Sequence, residues 1–258
     1  MENPEGYIIG EGYVGSYFKN SHREWIGTHR EVHSNDKTVI FDTMVRKTWK
    51  NLSQANCCLI TCPLREGSDF VFKELLHFLK EHFSMIVLLS STSVFLEKGS
   101  QQISINEESV LDPTKTQVKR EEQLLSIGAS VLTLSGIYGL NRSPLTWLQK
   151  NLVSNNKLFV NLIHVEDIVE IITRVFQKKI QGERYIVSDG QKHYWETIIE
   201  FCKEKGMLAP EFQRTKQKEP IHRYLSNKKL LKILPSDFTF QNLYQFLEIQ
   251  GTTTNGET

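Results

Sequence analysis

The chain has few cysteines, almost no net charge and no long apolar run. Four cysteines in 258 residues, Cys57, Cys58, Cys62 and Cys202, form no Cys-x-x-Cys pair and have no histidine at zinc-ligand spacing around them. Neither a disulfide framework nor a metal site is expected. The formal net charge of +1 provides no global field to gather nucleic acid or anionic lipid. The most apolar stretch, Met85 to Ser90 (MIVLLS), is too short to cross a bilayer, and the opening MENPEGYIIG lacks a cationic segment followed by an apolar run. The expectation is a cytoplasmic protein with no nucleic-acid or membrane partner. Tyrosine is missing over a long interval: none stands between Tyr17 and Tyr138.

The residues present suit a globular protein, with 39% hydrophobic and 24% charged. A chain of this length builds one large core or two unequal lobes. Through the first half, short apolar runs (YIIG, EWIGTHR, TVIFD, CCLITCP, MIVLLSS, SVLTLSG) alternate with amphipathic stretches. That alternation predicts βαβ units and a parallel sheet. The clearest helix is Asp69 to Phe83, where Phe72, Leu75, Leu76 and Leu79 recur at helical spacing behind an Asp69 cap. Beyond Gly139 the pattern turns to helices at Leu145–Val153, Glu166–Gln177 and Trp195–Lys205, with the strand-like RYIVSD between the last two. The reading is an α/β fold: a nucleotide-binding domain over residues 1–140, a mainly helical lobe over 141–250 with segments returning to the first domain, and a polar tail, 251–258, that frays.

In GEGYVG, Gly10, Gly12 and Gly15 follow an apolar strand and open a helix. This G-x-G-x-x-G spacing, in that context, marks a dinucleotide site. Gly10 permits the tight turn and Gly12 lets backbone amides approach a pyrophosphate. Gly15 lets helix and strand pack, and Tyr13 and Val14 supply first-turn amides at the positive end of the helix dipole. About 20 residues on, where an acidic side chain would take a ribose 2′-hydroxyl, the sequence reads GTHRE. Thr28 and Arg30 there favour a 2′-phosphate, hence NADP. Should the strand end one residue later, Glu31 would favour NAD.

Several segments in order, GEGYVG, LLSSTSVF, TLSGIYGLNRSP, NLIHVEDIVEII, RYIVSDG and HRYLSNKKLLKIL, make the chain resemble the extended short-chain dehydrogenase/reductase family. This is the NAD(P)-dependent epimerase/dehydratase group, and the likeness is strongest to its atypical, shortened members. The resemblance spans nearly the whole chain. It implies a Rossmann-type doubly wound parallel sheet with the cofactor across the carboxyl ends of its strands, and a small C-terminal lobe that closes over the substrate. It also implies a monomer or homodimer. Thr61 and Pro63 match positions beside the cofactor, and Ser91 matches the catalytic Ser/Thr, with Thr92 its nearest substitute.

Members of that family that do hydride chemistry use a Tyr-x-x-x-Lys pair, because a phenol serves as a base near neutral pH only when an ammonium stabilises its phenolate. Counting back from Glu122 puts Thr114 and Val118 at those positions, and neither can do the work. Lys115 and Lys119 lie nearby, and Lys119 or a water would have to replace the phenol. Tyr138, in the GIYG loop, reads as packing or substrate contact, and Arg142 as a clamp for a substrate phosphate or carboxylate. His164 and Asp167 read as a cap that orients the lobe. Asn227 or Ser226 caps a helix over Lys228–Leu234. The expected function is an NAD(P)-dependent oxidoreductase or epimerase acting on a sugar nucleotide or another small hydroxyl or carbonyl substrate. The alternative is a non-catalytic NADP(H)-binding sensor or scaffold.

Overall fold

The computed structural model describes residues 4–31, 39–96, 103–153, 157–214 and 223–254. The first part of the chain runs β1 (Gly6–Ile9), α1 (Tyr13–Ser21), β2 (Ile26–His29), β3 (Val39–Ile40), β4 (Ala55–Ile60), α2 (Asp69–His82), β5 (Phe83–Ser91), β6 (Ile103–Ile105), α3 (Thr116–Ser126) and β7 (Ser130–Leu134). It continues with β8 (Gly136–Tyr138), α4 (Pro144–Gln149), β9 (Phe159–Val160), β10 (Leu162–His164), α5 (Val165–Gln177), β11 (Arg184–Val187), β12 (His193–Tyr194), α6 (Trp195–Glu204), β13 (Arg223–Leu225), α7 (Lys228–Leu231) and α8 (Leu243–Thr254).

Seven strands form a parallel sheet in the order β11-β7-β5-β4-β1-β2-β3, flanked by helices, so the fold is α/β and Rossmann-like as expected. The register pairs Tyr7 with Cys58 and Ile9 with Ile60 across β1 and β4. These four side chains therefore share a face, and all lie in one core with Phe72, Leu75 and Leu79 of α2. Cys57 and Cys58 are buried strand residues, whereas Cys62 follows the strand and is part-buried. Helix α2 is capped one residue earlier than expected: the Ser68 side chain accepts from the Val71 amide, and Asp69 occupies the first turn.

The chain resolves into two compact units. One comprises Met1–Leu96, Val110–Thr133 and Val169–Tyr185, and the other Glu97–Ser109, Leu134–Ile168 and Ile186–Thr258. The second unit has its own core, built from Tyr138, Leu162, Trp195, Ile198, Leu243 and Leu247 among others. Asn227 precedes α7, but its side chain makes no cap bond there; the amide donates instead to the Ser188 carbonyl. Helix α8 carries through Gly251–Thr254, the first residues of the stretch read as a tail, and residues 255–258 lie outside those described. Among the described residues no helix is long and apolar enough to cross a membrane, and no group of His, Cys, Asp or Glu is placed to hold a metal ion.

Candidate functional site

The order of the sheet reverses between β1 and β4, which are neighbours although β2 and β3 intervene in sequence. In open parallel sheets the crevice at the carboxyl ends of such a pair is where ligands bind. Here that crevice is bordered by Gly10 after β1 and by Thr61–Pro63 after β4.

Gly10 has φ +83°, and a Cβ placed on it would stand 2.8 Å from the Cys62 Cβ, so glycine is required both for conformation and for space. The loop is pinned from below: the Gly10 amide donates to the buried Thr28 hydroxyl at 3.3 Å, the Glu11 amide to the Thr28 carbonyl at 2.9 Å, and the Thr61 hydroxyl to the Gly10 carbonyl. Thr28, fully buried, thus supports the loop rather than lining its open side. Gly12 stands exposed at the N-cap of α1, and a Cβ there would meet nothing closer than 3.9 Å. The first intrahelical bond of α1 runs from the Ser16 amide to the Gly12 carbonyl, so the Val14 and Gly15 amides have no partner within the helix. Its first turn carries no acidic side chain. Glu11, which has no counterpart in the sequence reading, turns away from the loop: its carboxylate is 2.9 Å from Lys19 Nζ and 3.4 Å from His29 Nε2. The loop therefore fits a diphosphate, with backbone donors, room at Gly12, and its one acid paired elsewhere.

β2 ends at His29, so Arg30 is the first residue past the strand and Glu31 the second. The Arg30 guanidinium meets Glu66 Oε2 at 3.2 Å. Burial pushes the Cys62 thiol up to about 11, Arg30 opposing that shift while Asp42 and Glu66 add to it. The thiol is thus protonated near neutral pH and is no nucleophile. Pro63 is exposed beside it.

At the end of β5, Ser91 and Ser93 exchange a 2.7 Å hydroxyl contact, and Thr92 opens a short 3₁₀ turn. Lys115 Nζ donates to the Ser93 carbonyl and lies 3.5 Å from Asp112. Lys119 is exposed on α3, so the lysine that reaches the serine loop is Lys115. Thr114 hydrogen-bonds Asp112, and Val118 is buried. The carboxylate that anchors α3 in the core is Glu121, which is fully buried, while the neighbouring Glu122 is 57% exposed. Counting back from Glu121 gives Pro113 and Gln117, which restores no phenol. A hollow of about 370 Å³ at this edge is lined by Arg65, Ser93, Val94, Lys115, Thr116 and Gln117. A slightly larger one, about 390 Å³, lies at the amino ends of β1, β4 and β5, the edge opposite the loops just described.

In the second unit, Tyr138 is not a surface contact. It is fully buried, donates to the Gln241 carbonyl at 2.8 Å, and packs edge-on against His164 and Phe246. Burial, with Asp167 and Asp189 adding, raises its pKa far beyond the ordinary phenol range, so it stays protonated. Asp167 accepts the Gln241 amide at 3.0 Å, and burial lifts its carboxyl to about 7. His164 is held below its usual pKa by burial, and its Nδ1 accepts from the Glu166 amide. Arg142 Nε donates to the Ile137 carbonyl, and its backbone closes a tight turn with Gly139. That arginine braces the GIYG loop.

No family model and no curated protein matches the sequence. Solved structures do match in fold. A conserved protein of unknown function from Silicibacter pomeroyi aligns at 18% identity and TM-score 0.70, over 98% of this chain and 99% of that one. The dTDP-glucose 4,6-dehydratase of Bacillus anthracis, solved in complex with NAD, aligns at 16% identity and TM-score 0.72, over 98% and 97%. The UDP-N-acetylglucosamine 4-epimerase of Bacillus cereus aligns at 13% identity and TM-score 0.71, over 97% and 99%. From end to end, the chain shares the Rossmann-type fold of these proteins, an epimerase and a dehydratase among them.

Proposed function

We propose that the chain is an atypical extended short-chain dehydrogenase/reductase that binds NADP(H) and acts on a sugar nucleotide or another small hydroxyl or carbonyl substrate. The observation that carries the reading is the glycine loop at the sheet's reversal point, where Gly12 leaves backbone amides open to a diphosphate and Gly10 cannot be replaced without a clash. The diphosphate would be held by first-turn amides of α1, including those of Val14 and Gly15, and a 2′-phosphate by Arg30, the first residue beyond β2. The bound cofactor supplies hydride chemistry. Ser91 hydrogen-bonds and orients the reacting substrate oxygen, and Lys115, anchored on the Ser93 carbonyl, holds positive charge at the same loop. Fluorescence titration tests the reading: NADPH should bind more tightly than NADH, and Arg30→Ala should weaken NADPH about tenfold or more while leaving NADH nearly unchanged. Tighter binding of NADH by the unmodified protein would overturn the 2′-phosphate assignment.

A second reading, a cofactor-binding sensor or scaffold without redox turnover, draws support from the absence of tyrosine between Tyr17 and Tyr138 together with the burial of Tyr138 itself. Hydride exchange over a panel of sugar nucleotides and small carbonyls separates the two. Turnover that falls by about a hundredfold in Ser91→Ala identifies the enzyme, whereas no turnover with any substrate, despite tight NADPH binding, identifies the sensor.

A further inference from the structure

We infer that Glu66 is a selectivity determinant of the dinucleotide site: its carboxylate engages one edge of the Arg30 guanidinium and competes with a 2′-phosphate for that partner. The inference rests on the reading of Arg30 given above.

Three observations carry it. Arg30 Nη1 and Glu66 Oε2 are 3.2 Å apart, with the side chains 49% and 69% exposed. A single-contact pair so open to solvent is weak, and a phosphate offering several acceptor oxygens to a guanidinium fork would outcompete it. Second, the loop that presents Glu66 is built to hold it there. The buried Arg120 donates to the carbonyls of Leu64 (3.0 Å), Glu66 and Gly67 (2.6 Å), the Gln117 side chain accepts from the Leu64 amide at 3.0 Å, and Gly67 turns the chain at φ +84°. The backbone of Glu66 is fixed, leaving only its side chain to swing. Third, the pair lies beside the glycine loop: Cys62 abuts Gly10, and its thiol feels Arg30 and Glu66 as well as Asp42.

Glu66 therefore opposes a 2′-phosphate twice, by competing for Arg30 and by repelling a dianion. A neutral ribose 2′-hydroxyl meets neither obstacle and can donate to the same carboxylate. The preference for one dinucleotide over the other is then a difference between Arg30's attraction and Glu66's opposition, rather than a property of Arg30 alone.

The test is a titration of the full chain with NADPH and with NADH for the unmodified protein, Glu66→Gln, Arg30→Ala and the double variant, with a melting curve for each. Glu66→Gln is expected to tighten NADPH about three- to tenfold and to leave NADH within about twofold or slightly weaker. Its melting temperature should hold, because the pair is exposed. In the Arg30→Ala background the same substitution should move the NADPH-to-NADH ratio by less than it does in the unmodified protein, because the competition for Arg30 is gone and only the repulsion of the dianion remains. If Glu66→Gln tightens both dinucleotides alike, or moves the ratio in neither direction, while the unmodified protein binds NADPH, the role of Glu66 is wrong and the glycine-loop reading stands. If the unmodified protein binds neither dinucleotide, both fall.

Discussion

The two units spend their polar groups differently. At the carboxyl edge of the first unit's sheet, Gly12 is open, Ser91 is exposed, and Arg30 is held by one exposed contact. In the second unit, Tyr138, His164, Asp167, Asp189 and His193 are all buried and paired, the last two at 2.6 Å. A buried polar group with its partners already chosen holds structure, because changing partners costs the full desolvation of whatever is left behind. Groups held in reserve at a crevice are available to a ligand. On that criterion we propose that the site belongs to the first unit's edge and that the second unit's histidine, carboxylate and phenol cluster, although it contains every residue type an acid–base site needs, is framework.

The contrast breaks first if buried pairing in the first unit proves dispensable. Glu121 accepts from Ser90 Oγ at 2.5 Å, from Gln117 at 2.9 Å and from Arg184 at 2.5 Å, all away from solvent. Glu121→Leu leaves the buried Arg184 with only the exposed Glu122 carboxylate as its acid partner and should lower unfolding free energy by roughly 3–5 kcal/mol. Glu122→Ala, which removes only the exposed half of the Arg184 interaction, should cost under about 1 kcal/mol. Equal losses in denaturant titrations would show that the burial of Glu121 carries no special weight.

A smaller effect sharpens the account of the second unit. The folded-state pKa of Asp167 is raised to about 7, above its ordinary value of 3.8, with burial the leading cause. The folded form therefore binds a proton that the unfolded form has already released between about pH 4 and 7. Across that window this group's contribution to stability falls as pH rises, and then levels off. Asp167→Asn keeps an oxygen for the Gln241 amide and cannot ionise. Relative to the unmodified protein it should gain on the order of 2 kcal/mol between pH 4.5 and 7.5. Parallel stability-versus-pH curves for the two proteins would refute the raised pKa.

What could be read from the chain, and what could not, follows from the range of each interaction. Strand runs such as YIIG and MIVLLSS, and the glycine spacing at residues 10, 12 and 15, are local, so the sheet and the turn could be anticipated. Glu66 opposite Arg30 is 36 residues away, Lys115 reaches across 22 to Ser93, and Arg184 finds Glu121 across 63. No periodicity encodes such pairs. Glu121 and Glu122, two adjacent glutamates, are equivalent in sequence. Only the packing shows which of them faces the core. Likewise Ser68 and Asp69 are both acceptable caps, and the geometry of the turn decides between them.

Tyr138 is the most direct test of the comparison, because it is the phenol of the TLSGIYGLNRSP segment that follows β7. If its role is framework, Tyr138→Phe leaves the Gln241 carbonyl without its donor and costs about 1 kcal/mol in stability. NADPH affinity would stay within about twofold, and any hydride exchange measured for the unmodified protein would persist. Its proton is committed to Gln241 at 2.8 Å, and its ionisation is opposed by burial and by two neighbouring carboxyl groups, so little catalytic power is there to lose. Loss of exchange with an unchanged melting temperature would reverse the assignment. The phenol of Tyr138 would then be a reacting group and not framework.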